Sequence, residues 1–166
     1  MTNNRIEILQ TQPIFGGITA HTLQFLLDRS SDCYTATGDC FFREGDSADS
    51  LFVLEEGVAD LFKQRGDKIF FLRQLLKGDC FGEVAIMDLM PRSATVRANT
   101  DCYSIELTRT ALYDLYQADL EQFTMIQMNM GREVSRRLRK ADERLFDIVQ
   151  LNKKHQHAQP LNSFEV

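Results

Sequence analysis

Residues 38–62 read GDCFFREGDSADSLFVLEEGVADLF. Three short apolar runs lie inside this stretch, Phe41–Phe42, Leu51–Leu54 and Val58–Phe62, and glycine or Gly-Asp breaks separate them. Each run is too short for a helix and is bounded by turn residues, which is the signature of consecutive strands. The breaks are Gly38-Asp39, Gly45-Asp46 and Gly57. Glycine supplies a positive φ and an aspartate can hold the next backbone amides, so each pair is a reversal point. Outward from this stretch the rhythm continues. Ile69–Leu76 forms another run between Gly66-Asp67 and Gly78-Asp79. Clean alternation then appears in Ala94, Val96, Ala98 and again in Tyr103, Ile105, Leu107. Strands at this spacing predict a mainly β domain with flanking helices: an antiparallel double-stranded β-helix, or jelly-roll barrel, over about residues 33–107.

The flanks read as helices. Thr19 caps a first helix, with Ile18 and Leu23 as its hydrophobic staple and Leu23, Leu26 and Leu27 on one face. Residues 1–13 carry no signal. Thr108 caps a short helix to about Gln117, and Asp119 with Gln122 fits a capping box that opens a long helix to about Gln150. That helix is ~48 Å long at 1.5 Å per residue. Along it Phe123, Ile126, Met130, Val134, Leu138, Ala141, Leu145 and Ile148 form one apolar stripe, interrupted by Gly131. A stripe of that length implies a homodimer through residues 119–150. The domain is thus expected over 1–151, with 152–166 as a flexible tail.

Composition narrows the function. The 166 residues are 43% hydrophobic and 26% charged, enough to bury one core. A net charge of −5 disfavours a nucleic-acid coat, which needs surplus Lys and Arg. The six basic residues from Arg132 to Arg144 read as a solvated helix face. No apolar run reaches the ~18–20 residues of a membrane span, so a cytoplasmic protein without membrane contact is expected. Cys33, Cys40, Cys80 and Cys102 contain no CxxC pair, and His21, His155 and His157 lie outside the strands. A metal cupin, an iron–sulfur sensor or a haem sensor therefore finds no ligands, and no metal is expected. No nucleophile elbow or phosphate-binding Walker loop is present, so the chain reads as a binding protein and not an enzyme.

The chemistry concentrates in residues 81–98, FGEVAIMDLMPRSATVRA. Gly82-Glu83 opens an apolar stretch, Val84 to Leu89, long enough for one or two helical turns whose free N–H groups favour an anion. Nine residues after Glu83, Arg92 follows Pro91 at the start of a strand. A guanidinium inside an apolar barrel calls for an anion, since an unpaired buried charge is costly. Ser93 adds a hydroxyl, Ser93 and Ala94 add backbone N–H groups, and an ionised Glu83 accepts from a sugar hydroxyl. A phosphate cage beside a hydroxyl acceptor describes a nucleotide pocket.

This segment resembles the phosphate-binding cassette of the cyclic-nucleotide-binding domain family, which includes bacterial catabolite activators, protein kinase A regulatory subunits and nucleotide-gated channels. Its pattern of Gly-Glu, short apolar helix, Pro-Arg, small residue, Ala-Thr-Val stands without gap. The resemblance covers about residues 14–150. It implies a cAMP or cGMP sensor in which Glu83 holds the ribose 2′-hydroxyl, Arg92 pairs with the cyclic phosphate, and Gly82, Ser93 and Ala94 supply the remaining donors, with Val84 and Ala85 in the same pocket. In the activators the long helix also reads the purine. Aligning Arg136–Leu138 with their basic-basic-Leu puts Ala141 and Asp142 where two hydroxyl residues stand in the family. This departure leaves Asp142 either an exposed helix residue or a carboxylate that favours guanine. In the activators a helix-turn-helix follows, whereas here only the tail does, so no DNA binding by this chain alone is expected and the signal passes through the C-terminal helix, with an unidentified protein partner as one outlet. The alternative is a member of the same fold that serves as a structural or interaction module and binds no nucleotide.

Overall fold

The run Leu51–Leu54 is apolar at every position because its sheet is buried on both faces. In the computed structural model, which describes residues 2–157, Leu51 and Val53 face a helical layer, while Phe52 and Leu54 face the barrel interior. Eight strands run along the chain: β1 Ser31–Thr35, β2 Cys40–Phe42, β3 Ser50–Glu56, β4 Ala59–Arg65, β5 Lys68–Leu75, β6 Cys80–Phe81, β7 Thr95–Ala98 and β8 Cys102–Thr108. They form two four-stranded antiparallel sheets, β1-β8-β3-β6 and β2-β7-β4-β5, the expected jelly roll. The helices are α1 Thr2–Gln10, α2 Ala20–Leu27, α3 Glu83–Asp88, α4 Arg109–Ala118 and α5 Leu120–His157, with a 3-10 turn at Pro13–Phe15. None among the described residues is long and apolar enough to cross a membrane.

Two compact units divide the chain, residues 1–130 and the remainder from Gly131. In the first unit, one cluster lies between the sheets around Phe52, Leu54, Phe81 and Val96. The other packs α1, α2, α4 and the first turns of α5 on the outer side of β3 and β8, around Leu9, Leu23, Ile105, Leu115 and Ile126. In the second unit α5 continues with Leu138, Leu145, Phe146 and Ile148 exposed.

The helix caps at Thr19 and Thr108 form as read: their hydroxyls accept from the Thr22 and Ala111 N–H groups. At α5 the Asp119 carboxylate accepts from the Gln122 N–H at 3.0 Å. The reciprocal half of the expected capping box does not form. The Asp119 N–H is already given to the Leu115 carbonyl of α4, so the Gln122 side chain instead accepts from the Thr19 N–H at 2.9 Å. This bond and those from Asn129 Nδ2 to the Ile14 and Gly16 carbonyls fasten α5 to the N-terminal segment.

Several readings change. Residues 2–10 are helical, because Ile8 and Leu9 are buried in the core and Arg5 bonds Glu55 and Asp32. Asp46 and Asp79 accept from the amides three residues earlier, Arg43 and Leu76, rather than from the next ones, because the positive-φ glycine folds the chain back toward the residue that entered the turn. Tyr103 shares the helix-facing side with Ile105 and Leu107, yet it lies at the rim against Tyr34, ring centroids 5.2 Å apart and tilted by 47°, and stays exposed. Strand β5 is an edge with Ile69, Phe70, Phe71 and Leu72 exposed. Helix α5 runs to His157, seven residues beyond the expected stop at Gln150; the rest of the anticipated tail, 158–166, lies outside the described residues. No disulfide links the four cysteines; Cys80 and Cys102 are buried, Cys33 and Cys40 half-buried.

Candidate functional site

Arg92 is inserted into the barrel by its own backbone. Its N–H donates to the Asp46 carbonyl at 2.8 Å and its carbonyl accepts from the Gly45 N–H at 2.9 Å, so the chain on either side is fixed to the β2–β3 turn. The side chain then points inward and is 5% exposed. Nη1 donates to the Ser50 and Gly82 carbonyls at 2.7 and 3.0 Å, and Nη2 donates to Ser50 Oγ at 3.3 Å. The guanidinium carbon lies 4.1 Å from the Phe42 ring centroid and 5.7 Å from that of Phe52. Phe81 stacks on Phe52 at 5.4 Å, and Phe41 meets both edge-on, so one wall of the site is aromatic.

Electrostatics oppose each other here. Burial pulls the Arg92 pKa down, while the carboxylates of Asp49, Glu106, Asp46 and Glu83 push it up, with burial the larger effect. An arginine stays protonated in proteins, so the site holds a poorly solvated cation. A guanidinium carries five N–H donors. Both Nη1 hydrogens and one of Nη2 are used, while Nε is buried with no partner. What remains is the Nε–H and a second Nη2–H, the pair that binds a carboxylate or phosphate side-on.

Gly82 makes this geometry sterically admissible. It caps α3 with φ 83°, and a Cβ there would lie 2.6 Å from Arg92 Nη1. The other anticipated residues divide by burial. Glu83 opens α3 and is 1% exposed, Ala85 and Ala94 are buried, Val84 is half-buried and Ser93 is exposed. Thus Gly82, Glu83, Val84, Ala85, Arg92, Ser93 and Ala94 belong to the first unit, whereas Asp142 is an exposed residue of α5 in the second. Leu89, the C-cap of α3, has φ 58°, the one positive-φ side-chain-bearing residue among those described.

Sequence reading overlooked Ser50 and Phe42, which seat the guanidinium. Ser50 is 42 positions from Arg92, and only the β3 register brings it there. The signal available was the polar Asp49-Ser50 pair directly ahead of an apolar strand.

Residues 34–119 match the family described as "Cyclic nucleotide-binding domain". The cAMP-dependent protein kinase regulatory subunit of Eremothecium gossypii is 34% identical over 94 residues, 57% of this chain and 20% of that protein. That of Hypocrea atroviridis is 32% identical over 109 residues, 66% of this chain and 23% of that protein. The chain therefore spans about a fifth to a quarter of the length of these relatives. Among solved structures, the catabolite activator protein of Thermus thermophilus is similar with a TM-score of 0.74 and 26% identity, covering 84% of this chain and 63% of that one. The regulatory domain of Toxoplasma gondii PKA, solved with cAMP, has a TM-score of 0.68 over 81% of this chain and 50% of that one. Its identity is 23%, so that likeness bears on the fold alone.

Proposed function

Because this chain belongs to the cyclic-nucleotide-binding domain family, we propose that it is a sensor that reversibly binds a cyclic nucleoside monophosphate, cAMP or cGMP. The single observation that carries this reading is the state of Arg92: a buried cation satisfied on one edge by carbonyls, with Nε lacking any partner. Two neutral carbonyls do not offset the desolvation of a guanidinium, whereas a phosphate mono-anion taken side-on by Nε and Nη2 does. Ser93 and Ala94, next along the chain, contribute N–H groups, and Gly82 keeps the approach clear of a Cβ. Glu83 takes the ribose 2′-hydroxyl, Val84 and Ala85 complete the wall, and Asp142 meets the purine edge, where its carboxylate favours guanine.

Occupancy is transmitted through α5, and two copies associate through residues 119–150. The support is the apolar stripe along α5: Ile126 and Met130 are buried in the core of the first unit, while Leu138, Leu145 and Ile148 are exposed in the second. Calorimetry of the protein with cAMP and with cGMP tests the reading. Truncating one partner of a desolvated charge pair costs ~2–5 kcal/mol, so Arg92→Ala should weaken binding about 30-fold or more. An Arg92→Ala protein that binds as tightly as the parent removes Arg92 from the pocket.

A further inference from the structure

The outer face of the β2-β7-β4-β5 sheet gathers a second set of guanidinium groups, independent of Arg92. Alternation puts them there. Val96 and Ala98 point into the core, so Thr95 and Arg97 point out, and the register Phe62↔Thr95 brings the Phe62 ring to the same face. Together with the β2–β3 turn and the β4–β5 hairpin they shape a groove of about 640 Å³, lined by Arg43, Arg65 and Arg97 with Glu44, Phe62 and Ile69.

The cations outnumber what the groove can neutralise. Glu44 is the one carboxylate in the lining, and Arg65 Nη1 already grips both of its oxygens at 2.9 and 3.1 Å, with Lys63 at 3.9 Å. That grip by Arg65 holds the Glu44 carboxyl below its ordinary range, so it is ionised and committed. Arg97 has Asp60 as its cross-strand partner, yet among the described residues the two form no ion pair. Its guanidinium carbon lies instead 5.2 Å from the Phe62 ring centroid, on the groove floor. The Arg43 side chain forms no ion pair among the described residues either, although its backbone N–H is held by Asp46. Two planar forks without a carboxylate therefore share one concave surface, on a chain whose net charge is −5. Guanidinium forks match phosphoryl oxygens in bidentate geometry, and two of them suit a ligand with two adjacent phosphoryl groups.

We propose that this groove is a second anion site that takes a diphosphate group, with Arg43 and Arg97 as its principal ligands. The diphosphate is either free or the tail of a nucleotide whose base lies on Phe62 and Ile69. The assignment does not rest on the cyclic-nucleotide reading. The test is calorimetry of the whole chain in low salt with inorganic pyrophosphate and, separately, ADP. Equal affinity identifies the free anion as sufficient, and tighter ADP binding assigns the apolar floor to the base. Arg43→Ala/Arg97→Ala should weaken pyrophosphate binding about 10-fold or more, as expected for two partly exposed charge-assisted contacts. Glu44→Gln, which removes the competing carboxylate, should tighten it about 3-fold or more. Arg92→Ala should leave it unchanged. The proposal is overturned if the parent protein shows no pyrophosphate binding at millimolar concentration, if the double variant binds as the parent does, or if Arg92→Ala abolishes binding.

Discussion

Gly82→Ala isolates the mechanical link between the glycine before α3 and the cation it faces. Gly82 has φ 83°, so an alanine there costs about 1–2 kcal/mol of backbone strain. The new Cβ would also lie 2.6 Å from Arg92 Nη1, 3.4 Å from a Phe42 ring carbon and 3.5 Å from the Ser50 carbonyl oxygen. Nη1 is the donor to Ser50 and Gly82, so it must leave at least one of two charge-assisted bonds worth roughly 1.5–3 kcal/mol each. The sum is about 2.5–5 kcal/mol, or a fall in Tm of roughly 5–20 °C for a chain of this size. Gly45→Ala is the matched control: φ is 90° and nothing lies within 4 Å of its would-be Cβ, so only the strain of about 1–2 kcal/mol is expected. Urea unfolding of both variants measures the difference. Nucleotide affinity should fall by about 10-fold or more in Gly82→Ala and little in Gly45→Ala, since only the first displaces the guanidinium. Equal destabilisation of the two variants would refute the contact, and an intact affinity in Gly82→Ala would refute the role given to the fork.

The remaining predictions address the helix and the surface. Val134→Asp/Leu138→Asp should convert the proposed dimer to monomers in sedimentation, because it places like charges in the seam; a parent chain that sediments as a monomer at roughly tens of micromolar contradicts the dimer. Asp142→Ala should lower cGMP affinity by about 5- to 30-fold, the worth of one or two charge-assisted bonds, and leave cAMP affinity nearly constant. Equal losses for both nucleotides would exclude Asp142 from base selection. Asp101 offers a pH test. Its carboxylate accepts from the Thr37 N–H and hydroxyl, and these bonds hold its pKa below the ordinary 3.8. Its contribution is therefore present above that value and lost as pH falls through the lower folded value. Asp101→Asn should flatten the acid limb of the stability curve; an unchanged slope in acid denaturation would show that the bonds carry no net stability.

How much of this was readable depends on the range of the interaction concerned. The caps at Thr19 and Thr108 involve residues three apart, and the Leu51–Leu54 run marks the strand that the structure buries on both faces. The run from Phe81 to Ala98 carries its residue types in one unbroken order. By contrast, α1 has a sparse apolar face, and it is organised by contacts made 27 and 50 residues away, Arg5 with Asp32 and Glu55. Strand β1 is mostly exposed and does not alternate, so its assignment depends on the backbone ladder to β8. Strand β5 is readable as an apolar run, but the run does not tell that its place at the sheet edge leaves Ile69–Leu72 exposed. The seat of Arg92 belongs to the same class, since nothing near Ser50 in sequence announces a guanidinium.

The burial of Nε has a consequence for how a sensor of this kind responds. Nε is buried, so a phosphate reaches it only if the chain around it shifts, and one neighbour of the guanidinium is Gly82 at the start of α3, whose carbonyl accepts from Nη1. Positive φ occurs at both ends of α3, Gly82 at 83° and Leu89 at 58°. Glycine takes this conformation freely, whereas leucine holds about 1–2 kcal/mol of strain in it. The far end of α3 is therefore predisposed to move, and relief of that strain offsets part of the work of opening the near end. The displacement cannot stay local, because Ile86 on α3 is buried in the same cluster as Leu112, Leu115, Ile126 and Met130 of α4 and α5. A close-packed cluster transmits a shift of one member to the others. In the proposed sensor the phosphate thus alters the packing of α5 through Ile86, and the ligand biases the helix by the difference in its contacts between the two arrangements of α3.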